Sequence, residues 1–145
     1  MSAAADAVTA ELRRIADENG GVLKAEAVID AARKSGSILH DKFTWDDSLA
    51  AREYRLWQAR QLIRCTVVFE MRSETTVRAF VSLSTDREED GGGYRETVRV
   101  LARADTRAQL LADALKEFEG IERKYAALTE LAAVFAAVHA VVRRK

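Results

Sequence analysis

The strongest constraint on this fold is a long line of apolar residues in the last third of the chain. Its members recur at alternating steps of three and four residues, the spacing that places side chains along one face of an α-helix. The line consists of Leu111, Ala114, Phe118, Ile121, Tyr125, Leu128, Ala132, Phe135, His139 and Val142. Because Asp105 and Thr106 can cap a helix at its start, the pattern predicts one continuous helix over residues 105–143.

A heptad seam of this length is typical of helices that pair with another helix. A helix of about 37 residues spans roughly 55 Å, which is more than a domain of this size usually buries. We therefore expect a coiled coil that makes the protein a homo-oligomer. The residues expected at this self-association interface are Phe118, Ile121, Tyr125, Leu128, Phe135, His139 and Val142.

The middle of the chain, residues 64–103, follows a period of two, which is typical of β-strands. Alternating runs cover residues 65–71, 77–83 and 94–102, and Val98 and Val100 of the last run are expected to point inward. A charged, glycine-rich loop over residues 86–93 separates the second run from the third. Because the connections are short, the pattern predicts a three-stranded antiparallel β-meander with one buried face.

Three helices are predicted before the strands, over about residues 4–18, 24–34 and 49–63. Asp46, Asp47 or Ser48 can cap the third helix, and Phe43 and Trp45 are expected to anchor the preceding linker in the core. The sequence thus predicts a single α+β domain over residues 1–145. It comprises three N-terminal helices within residues 1–63, a three-stranded antiparallel β-meander at 64–103 and a long C-terminal helix at 105–143.

Charge and cysteine content limit the possible functions. The 23 basic and 23 acidic residues cancel, so no overall field steers the protein to nucleic acid, membranes or acidic substrates. The single cysteine, Cys65, excludes an intramolecular disulfide and is compatible with a reducing cytoplasm. Residues 1–6 lack a basic region followed by an apolar core, and the longest apolar run is about half a membrane span, so neither a signal peptide nor membrane insertion is expected.

No constellation in the sequence predicts catalysis. His40 and Asp41, with Asp46 and Asp47, are residue types found in metal and acid–base sites, but their spacing suits a turn followed by a helix cap better. Cys65 is expected to be buried and inert, because it opens a strand. With no nucleophile elbow and no phosphate-binding glycine motif, we expect a protein that is not an enzyme and binds neither metal nor cofactor.

The third helix is the one helix whose exposed side is clearly basic. Ala50, Tyr54 and Trp57 are expected to face inward, which leaves several arginines and glutamines outside. These side-chain types contact phosphates and base edges in nucleic-acid complexes. The predicted nucleic-acid-binding residues are Arg52, Arg55, Gln58, Arg60, Gln61 and Arg64. A solvated face with ion pairs explains the same residues equally well.

Two further observations bear on nucleic-acid binding. The connection before the third helix is about a dozen residues, whereas a helix-turn-helix has a turn of about three or four. A second basic surface is formed on the predicted strands by Arg78, Phe80, Arg95 and Arg99, in the manner of single-strand binders. A solvated sheet face, or a face covered by the long helix, is the alternative for that surface.

The segment Leu39–Arg64 carries a resemblance to a known family. The runs are residues 21–33 (GVLKAEAVIDAAR), residues 39–48 (LHDKFTWDDS), Ala50-Ala51 and residues 54–64 (YRLWQARQLIR). They resemble a family of small uncharacterised proteins of bacteriophages and prophages, over about residues 20–105, and the likeness is weaker in the C-terminal helix. The resemblance implies an accessory role in the cytoplasm of a bacterial host, and it assigns no functional residues.

These observations predict a phage- or prophage-type accessory binding protein that self-associates and binds DNA through the basic helix at residues 49–64. The alternative is a protein–protein interaction module that acts through the C-terminal heptad helix, without nucleic acid. The expected partners are accordingly DNA, a second copy of the chain, or a host or virion protein.

Overall fold

A computed structural model of the protein describes residues 2–45, 48–89 and 92–144. The chain divides into two compact units, Met1–Ala102 (unit 1) and Arg103–Lys145 (unit 2). Most of the described residues are helical, and the strands form two small antiparallel sheets. The predicted α+β class is therefore confirmed.

Unit 1 begins with three helices, α1 (Ala3–Glu18), α2 (Ala25–Ala32) and α3 (Leu49–Cys65), close to the predicted bounds. The side chain of Ser2 caps α1, and α1 is followed by Gly20 and Gly21 at φ values of 68° and 85°. Positive φ is accessible to glycine without steric cost, which explains why the chain turns at this point. Ser48 caps α3 by accepting a hydrogen bond from the Ala51 N–H at 3.2 Å.

The strands of unit 1 form two sheets, so the single three-stranded meander predicted from the sequence is wrong. The strands are β1 (Val22–Leu23), β2 (Val67–Glu70), β3 (Thr75–Arg78), β4 (Phe80–Val81) and β5 (Tyr94–Glu96). Strands β2 and β3 form a hairpin, with Val68 opposite Val77. The second sheet has the order β1-β5-β4, and all its pairs are antiparallel. Strand β1 was not predicted, because two residues are too few to show a period.

The third predicted strand, residues 94–102, is also corrected. Strand β5 stops at Glu96, and helix α5 (Thr97–Ala102) follows; a further short helix, α4 (Ser84–Arg87), lies before β5. Thr97 and Val100 are buried while Val98, expected to point inward, is exposed. Burial at a spacing of three residues is the period of a helix, and the Thr97 hydroxyl is held by the Arg78 carbonyl at 2.7 Å.

The core of unit 1 lies between its three long helices and the β1-β5-β4 sheet. Its largest fully buried side chains include Leu12, Leu23, Leu39, Ile63 and Phe80. Each comes from a different element or from the linker before α3, so the core joins all of them. Phe43 is buried and Trp45 packs against the same cluster, which confirms the prediction that both anchor the linker.

Unit 2 contains two helices, α6 (Ala104–Tyr125) and α7 (Ala132–Arg143), where the sequence predicted one. The break is made by turns: the Leu128 N–H donates to the Tyr125 carbonyl at 2.9 Å, and the Leu131 N–H donates to the Leu128 carbonyl at 3.0 Å. A single straight helix buries nothing against itself. The break allows α7 to pack against α6 and to bury Phe135.

Within the described residues, no helix has both the length and the apolar character needed to cross a membrane.

Candidate interaction surfaces

The buried side of α3 differs from the predicted one. The helix buries Ala51, Arg55, Leu56, Ala59 and Ile63, whereas Tyr54 and Trp57 are 50% and 52% exposed. The predicted inward line of Ala50, Tyr54 and Trp57 is therefore wrong. The buried side combines two alanines with Arg55, Leu56 and Ile63, and the large aromatic side chains lie on the solvent side instead.

Arg55, predicted as an exposed nucleic-acid contact, is only 5% exposed. Its Nη1 donates to the Thr44 carbonyl at 3.3 Å, and its guanidinium carbon lies 5.5 Å from the centre of the Trp45 ring. A guanidinium that is surrounded by protein cannot reach a phosphate without leaving these contacts. The expectation that Arg55 lies on the exposed side of the helix is wrong.

The other predicted residues of α3 are more accessible. Arg52 and Arg64 are exposed, and Gln58, Arg60 and Gln61 are half-buried. Gln58 is already engaged, because its Oε1 accepts a hydrogen bond from the Thr44 N–H at 3.3 Å. Among the described residues, none forms an ion pair with Arg52, Arg60 or Arg64.

Tyr54 and Trp57 form a stacked pair on the solvent side of α3. Their ring centres are 5.7 Å apart, and the angle between the ring planes is 15°. A spacing of three residues places two side chains next to each other on a helix, so the stack follows directly from the sequence. Arg60, Gln61 and Arg64 continue the same side of the helix by one to two turns. We call these five residues the aromatic–arginine face.

The second predicted basic surface is not present as one surface. Phe80 is fully buried, so it cannot stack on a base. The Arg95 guanidinium makes two hydrogen bonds, of 2.7 and 2.8 Å, to the buried Asp86 carboxylate. Arg99 forms ion pairs with Asp17 at 2.7 Å and with Glu96 at 3.1 Å. Of the four residues, only Arg78 remains exposed without such an ion pair among the described residues.

The linker before α3 has a structural arrangement around His40. His40 lies in a short 3₁₀ turn, and its Nδ1 is 2.8 Å from the Ala32 carbonyl. Its ring stacks on Trp45, whose Nε1 donates to the His40 carbonyl at 3.0 Å. This confirms that His40 belongs to a turn. Asp46 and Asp47, the other members of the predicted cluster, lie outside the described residues.

Cys65 is the last residue of α3 and is exposed, so the expectation that it is buried in a strand is wrong. Within residues 2–45, 48–89 and 92–144, no group of three or more histidine, cysteine, aspartate or glutamate side chains is arranged to hold a metal ion.

The two helices of unit 2 form an antiparallel hairpin. His139 Nε2 on α7 lies 2.8 Å from Glu122 Oε2 on α6. Two small cavities are lined by residues of both helices. The first joins Leu115, Glu119 and Glu122 to Val138, His139, Val142 and Arg143, and the second joins Glu122 and Ala126 to Leu128, Ala132, Phe135, Ala136 and His139.

The residues of the predicted seam therefore fall into two groups, those that line the space between the two helices and those that are exposed. On α7 its members Phe135, His139 and Val142 line the cavities shared with α6, and of these Phe135 is only 8% exposed whereas Val142 is 47% exposed. On α6 the residues that line these cavities include Glu119, Glu122 and Ala126, each one position after a member of the predicted seam. The α6 part of the seam, together with Leu128, is exposed.

The exposed apolar lines of both helices lie on one side of the hairpin. Phe118, Ile121 and Tyr125 on α6 precede cavity-lining residues by one position, as do Val134 and Val141 on α7. One residue turns a helix by about 100°, and in antiparallel helices equal shifts turn side chains toward the same side of the pair. We define the apolar face of unit 2 as Leu111, Phe118, Ile121, Tyr125, Val134 and Val141, all of them exposed.

In comparisons with known proteins, no family model matches this chain, and no curated protein or solved structure matches it either.

Two features of these surfaces were not predicted from the sequence. The aromatic–arginine face was missed because size alone suggested that Tyr54 and Trp57 were core residues. The apolar face of unit 2 was missed because one straight helix was assumed. The sequence does contain a sign of this face, because a second line of apolar residues lies beside the seam. A second line indicates a helix with two neighbours, and here it consists of Val134, Val138 and Val141.

Proposed function

We propose that the protein is a self-associating protein-interaction module, and that unit 2 pairs with a second copy through its apolar face. One observation carries the proposal. Among the described residues of unit 2, Phe135 is the one large apolar side chain that is buried, while the six residues of the apolar face are exposed. Exposed apolar surface of this extent on a small helical unit is typical of an interaction site.

The geometry of the hairpin favours a second copy as the partner. Two helical hairpins that place apolar faces together form a four-helix bundle. A two-fold pairing uses the same face on both copies, so the face must be complementary to itself. The residues along both lines, including Ala114 and Val138, are uncharged, and two copies therefore meet without like-charge repulsion.

The size of the face agrees with a specific but small interface. With helices of 22 and 12 residues, each about 10 Å wide, the face covers roughly 500 Å² on each copy. Two copies would bury roughly 1,000 Å², which is near the lower limit for a specific protein–protein interface. We therefore expect a dimer whose population depends on concentration.

The proposed setting is that of an accessory protein of a phage or prophage in the cytoplasm of a bacterial host. The resemblance of the segment Leu39–Arg64 to phage and prophage proteins supports this setting. A host or virion protein is a further candidate partner for the dimer, because the exposed residues Phe69 and Met71 of the β2–β3 region lie in unit 1 and are not used by the proposed pairing.

Light scattering and sedimentation equilibrium from low to high micromolar concentration test the proposal. The double variant Phe118→Glu, Ile121→Glu should be monomeric where the wild type is dimeric. The matched control, Gly120→Glu with Ala133→Glu, adds the same two charges on the opposite side of the hairpin. A Cβ atom at Gly120 meets nothing within 4 Å, so the control should still dimerise. A wild type that stays monomeric at high micromolar concentration would overturn the proposal.

A further inference from the structure

We propose that the aromatic–arginine face of α3 binds single-stranded nucleic acid, with bases on Tyr54 and Trp57 and phosphates on Arg60 and Arg64. This inference goes beyond self-association and rests on a different unit of the chain. The face lies entirely in unit 1, so a failure of dimerisation leaves it intact.

The aromatic pair has the form of a stacking platform. Both rings are about half exposed, and they are already stacked on each other at 15° between planes. Single-strand binders place bases on exposed aromatic side chains, and such stacking tolerates any base because every base has a π-face. Single exposed apolar residues are common on protein surfaces, whereas two adjacent exposed rings form a contiguous apolar patch, which is typical of a binding site.

Binding of a single strand also requires positive charges along which its sugar–phosphate backbone can lie. The neighbouring arginines supply these charges. Arg60 and Arg64 form no ion pair with any described residue, so no described residue neutralises their charge. From Tyr54 to Arg64 the face extends roughly 15 Å along the helix. A polyanion with stackable bases matches this combination of two rings followed by two cations, because it offers both a negative charge and a planar group at each nucleotide.

The structure argues against a duplex as the ligand. A helix-turn-helix joins its two helices by a turn of about three or four residues. Residues 33–48 separate α2 from α3, which is far longer. In addition, Arg55 is occupied by Thr44 and Trp45, so the helix offers fewer cations than its sequence suggests.

Fluorescence anisotropy with labelled oligo(dT), oligo(U) and a duplex of equal length tests the proposal in the full chain. The expected result is saturable binding of a single strand that exceeds binding of the duplex, and the two single strands distinguish DNA from RNA. Trp57→Ala should weaken binding at least about fivefold, the effect of one lost stacking contact, with little change in salt dependence.

The variant Arg60→Ala, Arg64→Ala should weaken binding and also lower the slope of log K against log salt by about 1.4, since each phosphate contact on a single strand contributes about 0.7. Arg123→Ala with Arg144→Ala removes the same charge from unit 2 and should leave both quantities unchanged. Thermal unfolding confirms that each variant is folded.

Three outcomes would overturn the proposal. The first is no saturable binding of single strands at low salt. The second is equal binding of wild type and Trp57→Ala, both folded. The third is equally tight binding of a polyglutamate peptide that depends on Arg60 and Arg64 but not on Trp57, which would assign the face to an acidic protein partner.

Discussion

The Arg55 guanidinium carbon lies 5.5 Å from the centre of the Trp45 ring, within the range of a cation–π contact. The Arg33 guanidinium carbon lies 5.6 Å from the centre of the same ring, and the His40 ring stacks on it. These side chains come from the end of α2, the linker and α3. Trp45 therefore connects three consecutive parts of the chain, and Arg55 is a structural residue.

Replacing Trp45 should destabilise unit 1. Trp45→Ala removes an aromatic side chain that packs against the core, and we expect the free energy of unfolding to fall by about 3 kcal/mol. Urea denaturation followed by circular dichroism measures the change. Trp57→Ala is the matched control, since it removes the same indole from an exposed position and should change stability by less than about 0.5 kcal/mol. Equal losses in the two variants would contradict the structural role of Trp45.

Replacing Arg55 should also lower the free energy of unfolding, because its side chain is part of the fold. Arg55→Ala removes the contact with Trp45 and leaves the Thr44 carbonyl without this donor, so we expect a loss of about 1–3 kcal/mol. Arg55→Lys keeps the charge but not the planar group, and should therefore recover only part of the lost stability. The exposed Arg64→Ala is the control and should unfold like the wild type. An unchanged urea midpoint for Arg55→Ala would show that its guanidinium does not support the fold.

The carboxyl group of Glu70, at the turn of the β2–β3 hairpin, should titrate at a lower pH than an ordinary glutamate. The Ser73 hydroxyl donates to Glu70 Oε2 at 2.7 Å, and this bond, with the N–H groups of Arg72 and Ser73, lowers the pKa of Glu70. Since its pKa is lower in the folded state, Glu70 contributes stability above its unfolded pKa and loses it as the pH falls through the folded pKa.

Ser73→Ala should therefore raise the pKa of Glu70 toward its ordinary value, because the hydroxyl is the largest cause of the shift. An NMR titration of the Glu70 side chain measures this directly. Thr76→Ala, also in the hairpin, serves as the control and should leave the pKa unchanged. A Glu70 pKa that is the same in wild type and Ser73→Ala would show that the hydroxyl bond is absent in solution.

The hairpin of unit 2 should depend on Phe135. This side chain is the one large apolar side chain that is buried in the described part of the unit. Phe135→Ala should lower the free energy of unfolding by about 3 kcal/mol and reduce the helical signal of α6 and α7. Phe69→Ala makes the same chemical change at an exposed position on β2 and should have little effect. If the helical signal of Phe135→Ala equalled that of the wild type at all temperatures, the hairpin packing would be contradicted.

How far the sequence predicts this fold depends on the length of each signal. The helices α1 and α3 were predicted to within a few residues, because each repeats its apolar pattern over several turns. Strand β1 and helix α5 were missed, because a two-residue strand has no period and the β-branched residues of α5 resemble a strand. In α5 the contact between Thr97 and Arg78 outweighs that local preference.

The surfaces were harder to predict than the helices. The orientation of α3 depends on whether small or large side chains face the core, and the sequence permits both. Arg55 illustrates the limit: only the position of Trp45 in three dimensions explains why a charged residue is buried. The break after Tyr125 was equally hidden, because apolar residues continue at helical spacing from Tyr125 through Leu128 to Ala132.

Because of that uninterrupted spacing, two copies of unit 2 could exchange their α7 helices. If residues 126–131 became helical, α6 and α7 would form one continuous helix, and the α7 of one copy would reach the α6 of another. The contact between Glu122 and His139 would then form between chains, with the same partners. Such exchange preserves the native contacts and changes only the connection. Leu128, whose backbone is extended at φ −83° and ψ 94°, is therefore one residue that would have to become helical in a swapped dimer.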